Sequence, residues 1–265
     1  MEEKAIEIKG KGLSGNFLKW IAIITMLIDH ATVCFLEEGY MLANNITLDE
    51  EVGFTAENMV PMILDLLLRC VGRVAFFIFC FLIVEGFLHT RNVWKYSLRL
   101  GIFALISEIP YNLLLKHSVF SFSSQNVYWT LLLGLLALIL IRKFEKNAWI
   151  CFGITAALSA AAWLLHVDYS FTGVLLIVCL YEFREKKWAQ FFFSAGVMCI
   201  ASFTEICGLW AFLLFRKYNG TRGGKKRDKN AAGVKLFLQK YAFYLVYPVH
   251  LFVFWLIRRF VMGIF

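Results

Sequence analysis

FLKWIAIITMLIDHATVCFL, residues 17–36, decides the fold. An apolar run of about 20 residues is long enough to cross the hydrocarbon core of a bilayer. Near its far end sit two ionisable neighbours, Asp29 and His30. A charged group inside such a run is costly by several kcal/mol when unpaired, so it calls for partners and points to function.

The rest of the chain repeats the pattern. Its 265 residues are 60% hydrophobic and only 17% charged, against about a quarter charged in a soluble domain. Mean hydropathy is +0.68. The apolar runs are long and do not alternate, which argues for helices over a β-barrel. The expected fold is all-α: one polytopic, integral membrane helical bundle over residues 1–265, with about nine transmembrane helices (eight to ten).

The spans are read at 17–36, 70–88, 97–115, 127–141, 148–165, 169–183, 188–203, 205–215 and 241–257. They leave a polar N-terminal segment at 1–16, an acidic loop at 37–65 and a basic loop at 216–240. Lys and Arg follow spans two, four, six and eight, whereas the loops after one, three, five and seven hold little beyond Lys116. Retained basic residues mark cytoplasmic loops. The N-terminus and basic loop are therefore expected in the cytoplasm, the bundle in a cell membrane, and the C-terminus outside. The net charge of +8 follows this membrane pattern, so no nucleic-acid partner is expected.

The cysteines, Cys34, Cys70, Cys80, Cys151, Cys179, Cys199 and Cys207, are scattered without a CxxC pair. Nearly all read as small buried hydrophobes, and the set is neither a disulfide framework nor a metal site. No His or Cys pair has zinc-ligand spacing, so no metal is expected. There is no Walker loop, dinucleotide fingerprint or serine elbow.

Depth along the helices sorts the polar residues into two groups. At the expected outer side lie Asp29 and His30, Arg69 and Arg73, Glu108 before Pro110, Asn126 and Thr130, His166 and Asp168, Glu205, and, nearer the midplane, His250. At the expected inner side lie Glu85 and His89, then Arg91, Lys95 and Arg99. A histidine beside a carboxylate is a common general-base arrangement. Adjacent helical residues point about 100° apart, however. Asp29 is expected to pair with Arg73, leaving His30 for Glu108 or for substrate. The bland reading of each residue is a packing ion pair, a helix break satisfied, or an interhelical hydrogen bond.

Six stretches resemble the TraX-like family of membrane proteins, in the family's order: LKWIAIITMLIDH (18–30), VGRVAFFIFCFLIVEGFLHTRN (71–92), LRLGIFALISEIPYNL (98–113), QNVYWTLLLGLLAL (125–138), DYSFTGVLLI (168–177) and YAFYLVYPVHL (241–251). The family's namesake is similar to an F-pilin N-terminal acetyltransferase. The family also looks like a branch of a transmembrane acyltransferase group that includes sugar O-acyltransferases and a lysosomal glucosaminide acetyltransferase. The resemblance implies an acyltransferase: acetyl-CoA met on the cytoplasmic side, and an extracytoplasmic acceptor, protein or glycan, with an amine or hydroxyl. On that reading His30 is the catalytic histidine, as base or as transient acyl carrier, with Asp29 and Glu108 in support. Arg73, Asn126, His250 and Asp168 line the acceptor pocket. Charge and side, with no family motif behind them, suggest His89, Arg91, Lys95 and Arg99 for the coenzyme A phosphates. The chain departs from the family pattern at DYS, where a glycine is expected after the tyrosine. A transporter and a non-catalytic envelope assembly factor are the alternatives.

Overall fold

A computed structural model describes residues 12–44, 46, 56–223 and 233–263. Among them the chain is all-helical, with two isolated bridges and no sheet. The helices are α1 (Gly15–Ala31), running into a π-helical segment (Thr32–Met41), α2 (Ala56–His89), α3 (Val93–Leu115), α4 (Val127–Lys143), α5 (Ala148–Leu164), α6 (Ser170–Glu182) and α7 (Lys187–Ala201). A 3-10 segment (Phe203–Trp210) leads to short α8 (Ala211–Arg216), and α9 (Gly233–Phe260) ends the bundle.

Polar side chains start the helices where the sequence turns from loop to apolar run. Ser14, Asn92, Asn126 and Asn147 each accept a backbone N–H from the first turn they cap, satisfying donors the helix leaves open. Pro248 inside α9 has no N–H for the carbonyl four residues back. That carbonyl, Tyr244 O, takes the hydroxyl of Tyr128 instead at 3.0 Å.

Among the described residues, four stretches are long and apolar enough to cross a membrane: Gly15–Met41, Asn58–His89, Val93–Leu115 and Lys240–Phe260. They make the chain a helical membrane protein. Ala148–Leu164 and Ser170–Glu182 are apolar but shorter. Exposed Trp149, Phe152, Trp188 and Phe192 face outward, as a lipid-facing surface requires. Inside, Phe77, Phe87, Leu135, Leu138, Leu176 and Ile177 are fully buried. Glycines let backbones close: a Cβ on Gly134 would strike Ile177, and one on Gly208 would strike Phe77.

Several boundaries differ from the sequence reading. Residues 37–41 continue the first helix, and α2 begins at Ala56, not at 70, so much of the expected 37–65 loop is helix. Glu37 and Glu38 end the apolar run but not the helix, because Arg69 and Arg258 pair with them. Residues 45 and 47–55 lie outside the described residues. The expected eighth span is a 3-10 turn followed by a six-residue helix. The 216–240 loop is helical from Gly233; its residues 224–232, like 1–11, lie outside the described residues.

The connections fall at two ends of the bundle. At one, Leu13 bridges Tyr218, Leu13 N–H donates to Lys217 O and Asn16 N–H to Arg222 O. The Tyr218 hydroxyl meets the Glu85 carboxyl, and Arg142 sits 4.1 Å over the Phe87 ring. At the other, Gln125 bridges Val167, and Arg258 joins Glu38, His117 and Leu113 O. A disulfide there joins Cys70 and Cys207, with Cα atoms 5.1 Å apart. The expectation that no cysteines pair is therefore corrected. A sequence separation of 137 left no spacing to read.

Candidate functional site

α1 carries the site to the middle of the bundle, where it packs along α2, and α9 closes it from the other side. Gly72 on α2 makes the contact close enough: a Cβ there would overlap the Asp29 side chain. Asp29 lies in that notch with its carboxylate 2.8 Å from Arg69 Nη1. Arg69 Nε continues to Glu37 Oε1 at 3.1 Å. The expected Asp29–Arg73 pair is thus replaced by Asp29–Arg69. Arg73, one turn further on, pairs with Glu205 at 3.1 Å and with the Tyr169 hydroxyl.

His30 points away from this network. Its Nδ1 is 2.8 Å from His250 Nε2, and His250 Nδ1 is 2.8 Å from Val246 O. A carbonyl only accepts, so His250 carries its proton on Nδ1 and presents a lone pair on Nε2. His30 must then donate from Nδ1, which leaves the His30 Nε2 lone pair as the free basic nitrogen of the two neutral rings. Tyr247 packs edge-on to both rings.

A cavity of about 260 Å³ adjoins His30. Asp29, Glu37, Arg69, Arg73 and Asp168 line its polar end; Ile23, Met26, Phe76, Phe79 and Phe243 line the rest. The two ends follow from chain direction. Ile23 and Met26 precede His30, Phe243 precedes His250, and on antiparallel α2 Phe76 and Phe79 follow Arg73, while Val33 is an apolar lining residue beyond His30. Val33 and Glu37, on the π segment that follows Asp29 and His30, also line the cavity. π turns inside helices are frequent at functional sites.

Asp168 reaches the cavity from the α5–α6 connection. Its backbone N–H donates to Gln125 O at 2.9 Å, its backbone carbonyl accepts from Thr130, and its carboxylate accepts the Tyr169 N–H at 3.1 Å. Burial pushes its carboxyl up to about 6, against the pull of Arg73 and Lys116. Tyr169 and Ser170 have φ of 59° and 45°. This left-handed backbone favours glycine, and Ser170 stands where a glycine was expected after the tyrosine.

Three residues expected at the acceptor pocket do not line the cavity: His250 stands against His30 instead, and Glu108 and Asn126 bond each other. The Glu108 carboxyl accepts from Asn126, from Trp129 Nε1 at 3.2 Å and from Asn112 at 3.5 Å. Asn126 also donates to Ala104 O at 2.8 Å. Neither Glu108 nor Asn126 lines the cavity; together they tie α3 to the start of α4. The basic group sits at the opposite end of α2, about 24 Å of helical rise beyond Arg73. His89 Nδ1 bonds Glu85 O at 2.9 Å, Arg91 and Lys95 are exposed, and Arg99 lies over the Tyr96 ring with its Nε buried and unpartnered. Glu37 and Tyr169 enter the site without having been expected there, and Arg69, expected only at that depth, enters it as the partner of Asp29. The Arg69–Gly72–Arg73 spacing, two cations one turn apart around a glycine, was the signal available.

The family model of the TraX protein matches residues 14–258. The chain is 28% identical over 258 residues to the "Probable fimbrial assembly protein FimC, serogroup H1" of Dichelobacter nodosus, an alignment covering 88% of this chain and 91% of that protein. No solved structure matches. With the match running from the cap of α1 to the last turn of α9, the chain belongs to the TraX family.

Proposed function

We propose that the protein is a membrane acyltransferase that moves an acetyl group from acetyl-CoA to an amine or hydroxyl of an extracytoplasmic acceptor. The observation that carries this reading is the hydrogen-bonded chain Val246 O, His250, His30, which holds one basic nitrogen at a cavity. His30 Nε2 takes the proton of the acceptor N–H or O–H as it attacks the thioester carbonyl. The C–S bond breaks, and the proton passes to the departing thiolate. Arg73, fixed by Glu205 and Tyr169, supplies positive charge as the carbonyl oxygen becomes anionic.

The donor comes from the cytoplasmic, basic end, past Arg99, and the acceptor from the end of Glu37 and Arg69. Two independent features support that orientation. Lys and Arg gather at the first end. The Cys70–Cys207 disulfide lies at the other, and disulfides persist on the oxidising side of the inner membrane. The fimbrial-assembly name of the relative favours a pilin-like protein terminus as acceptor, with envelope glycan as the other class. The test uses sealed vesicles of known orientation. Acetyl-CoA added to the basic-end side should support transfer to an acceptor peptide on the opposite side; transfer only when both are on one side would refute the orientation.

A further inference from the structure

We propose that the Cys70–Cys207 disulfide is a positioning clamp for Arg73, and that acyl transfer is switched on when the two thiols are oxidised and off when they are reduced. The proposal rests on the transferase reading above, in which Arg73 faces the developing oxyanion.

The two cysteines bracket one ion pair. Cys70 lies one turn before Arg73 on α2, and residues three apart share a helix face. Cys207 lies two residues after Glu205 on the 3-10 segment, and the disulfide holds the Cα atoms of the two cysteines 5.1 Å apart. Inside this bracket Arg73 Nε reaches Glu205 Oε1 at 3.1 Å. Glu205 is only 5% exposed, and its Oε2 is buried without a hydrogen-bond partner. A carboxylate so buried depends on its cation, so the pair persists only while the segment is pressed against α2.

The segment has little of its own to hold it there. It stays 3-10 over 8 residues, whereas such runs rarely exceed about four because their hydrogen bonds are poor. Gly208 lets it approach α2: a Cβ there would strike Phe77 and come within 3.0 Å of Arg73 O. At its far end Trp210 is exposed. A covalent tie across 137 residues of sequence supplies the hold that the segment's own hydrogen bonds do not.

Opening the tie is a thiol–disulfide exchange. A dithiol attacks one sulfur, the S–S bond breaks, and a second attack releases the dithiol as a cyclic disulfide. Two protons pass from the dithiol to Cys70 and Cys207. Neither cysteine is sealed in the core, so the bond is within reach. The segment then lifts and takes Glu205 with it. Arg73 turns to Asp29 and Asp168, carboxylates that line the same cavity, and its charge is withdrawn from the thioester carbonyl. Exchange with a disulfide donor reverses each step. The site is therefore silent in a reducing compartment and armed on the oxidising face of the membrane.

The test uses purified protein, oxidised, treated with dithiothreitol, and then reoxidised with oxidised glutathione. Peptide mapping should find Cys70 joined to Cys207. On reduction, kcat for transfer from acetyl-CoA to a peptide with a free N-terminus should fall on the order of 10²-fold, with the KM for acetyl-CoA unchanged, and it should return on reoxidation. Amide exchange should rise at residues 203–210 and stay unchanged in the rest of the bundle. Cys70→Ser should match the reduced wild type and ignore dithiothreitol. Arg73→Gln, already slow, should lose nothing further on reduction. Free thiols at both positions in protein isolated from membranes, or equal transfer by oxidised and reduced protein, overturns the switch. A rise in exchange throughout the bundle, or a further loss in reduced Arg73→Gln, makes the bond a general staple and overturns the positioning role. A local rise in exchange, with no transfer by the oxidised wild type, upholds the clamp and contradicts the transferase reading instead.

Discussion

His250 Nε2 lies 2.8 Å from His30 Nδ1, and 220 residues of chain separate the two rings. His250 fixes which nitrogen of His30 is basic, as a carboxylate does in other His-based sites. Replacing it with leucine removes the acceptor and frees the ring to flip. His250→Leu should lower acetyl transfer on the order of 10²-fold, whereas His250→Gln, whose side-chain carbonyl can still accept, should retain more. Equal activity in both variants and wild type would show that the contact has no part in transfer.

Asp29 and Arg69 form an ion pair in a site with little solvent. Neutralising either one leaves a charge without its partner. Asp29→Asn and Arg69→Gln should each destabilise the protein more than the double change, with a coupling of about 1–3 kcal/mol. The same cycle with Arg73→Gln should give a smaller coupling, because Arg73 is engaged by Glu205. Denaturation in detergent measures both. Coupling larger for Arg73 than for Arg69 would contradict the observed pairing.

Ser170 adopts φ of 45° where a glycine would sit without strain. Ser170→Gly should raise stability by about 0.5–1 kcal/mol and leave the neighbouring Asp168 in place. A loss of stability would mean that the serine side chain contributes more than its backbone loses.

Asp168 titrates near 6 in the folded protein and near 3.9 in an unfolded chain. Between these values the folded state holds a proton that the unfolded state has lost. Its contribution to stability is therefore full below about pH 4 and is lost as pH rises through about 6. Asp168→Asn should flatten the decline between pH 4 and 6. An unchanged pH profile would assign the slope to other groups.

The sequence made the helical membrane architecture legible because long apolar runs leave the backbone no other way to satisfy its hydrogen bonds. It placed His30 and His250 at comparable depth, but depth carries no rotation, so their direct contact was hidden. Charge was misleading at Glu37, Glu38 and Asp65. Each reads as loop, yet each sits on a helix, and Arg69 and Arg258 pair with Glu37 and Glu38 from elsewhere in the chain. The Arg69 pairing was within reach of the spacing around Gly72. The choice between Arg69 and Arg73 needed the notch that only packing reveals. Glu108 looked like a site residue because it is acidic and intramembrane, and its partners Asn126 and Trp129 come from a different helix.

The most direct test of the account incubates the purified protein with labelled acetyl-CoA and a peptide carrying a free N-terminus, with His30→Ala alongside. The account predicts label on the peptide and stoichiometric release of coenzyme A from the wild type, with a loss on the order of 10²–10⁴-fold in a folded His30→Ala protein. Wild-type turnover in a folded His30→Ala protein would contradict it.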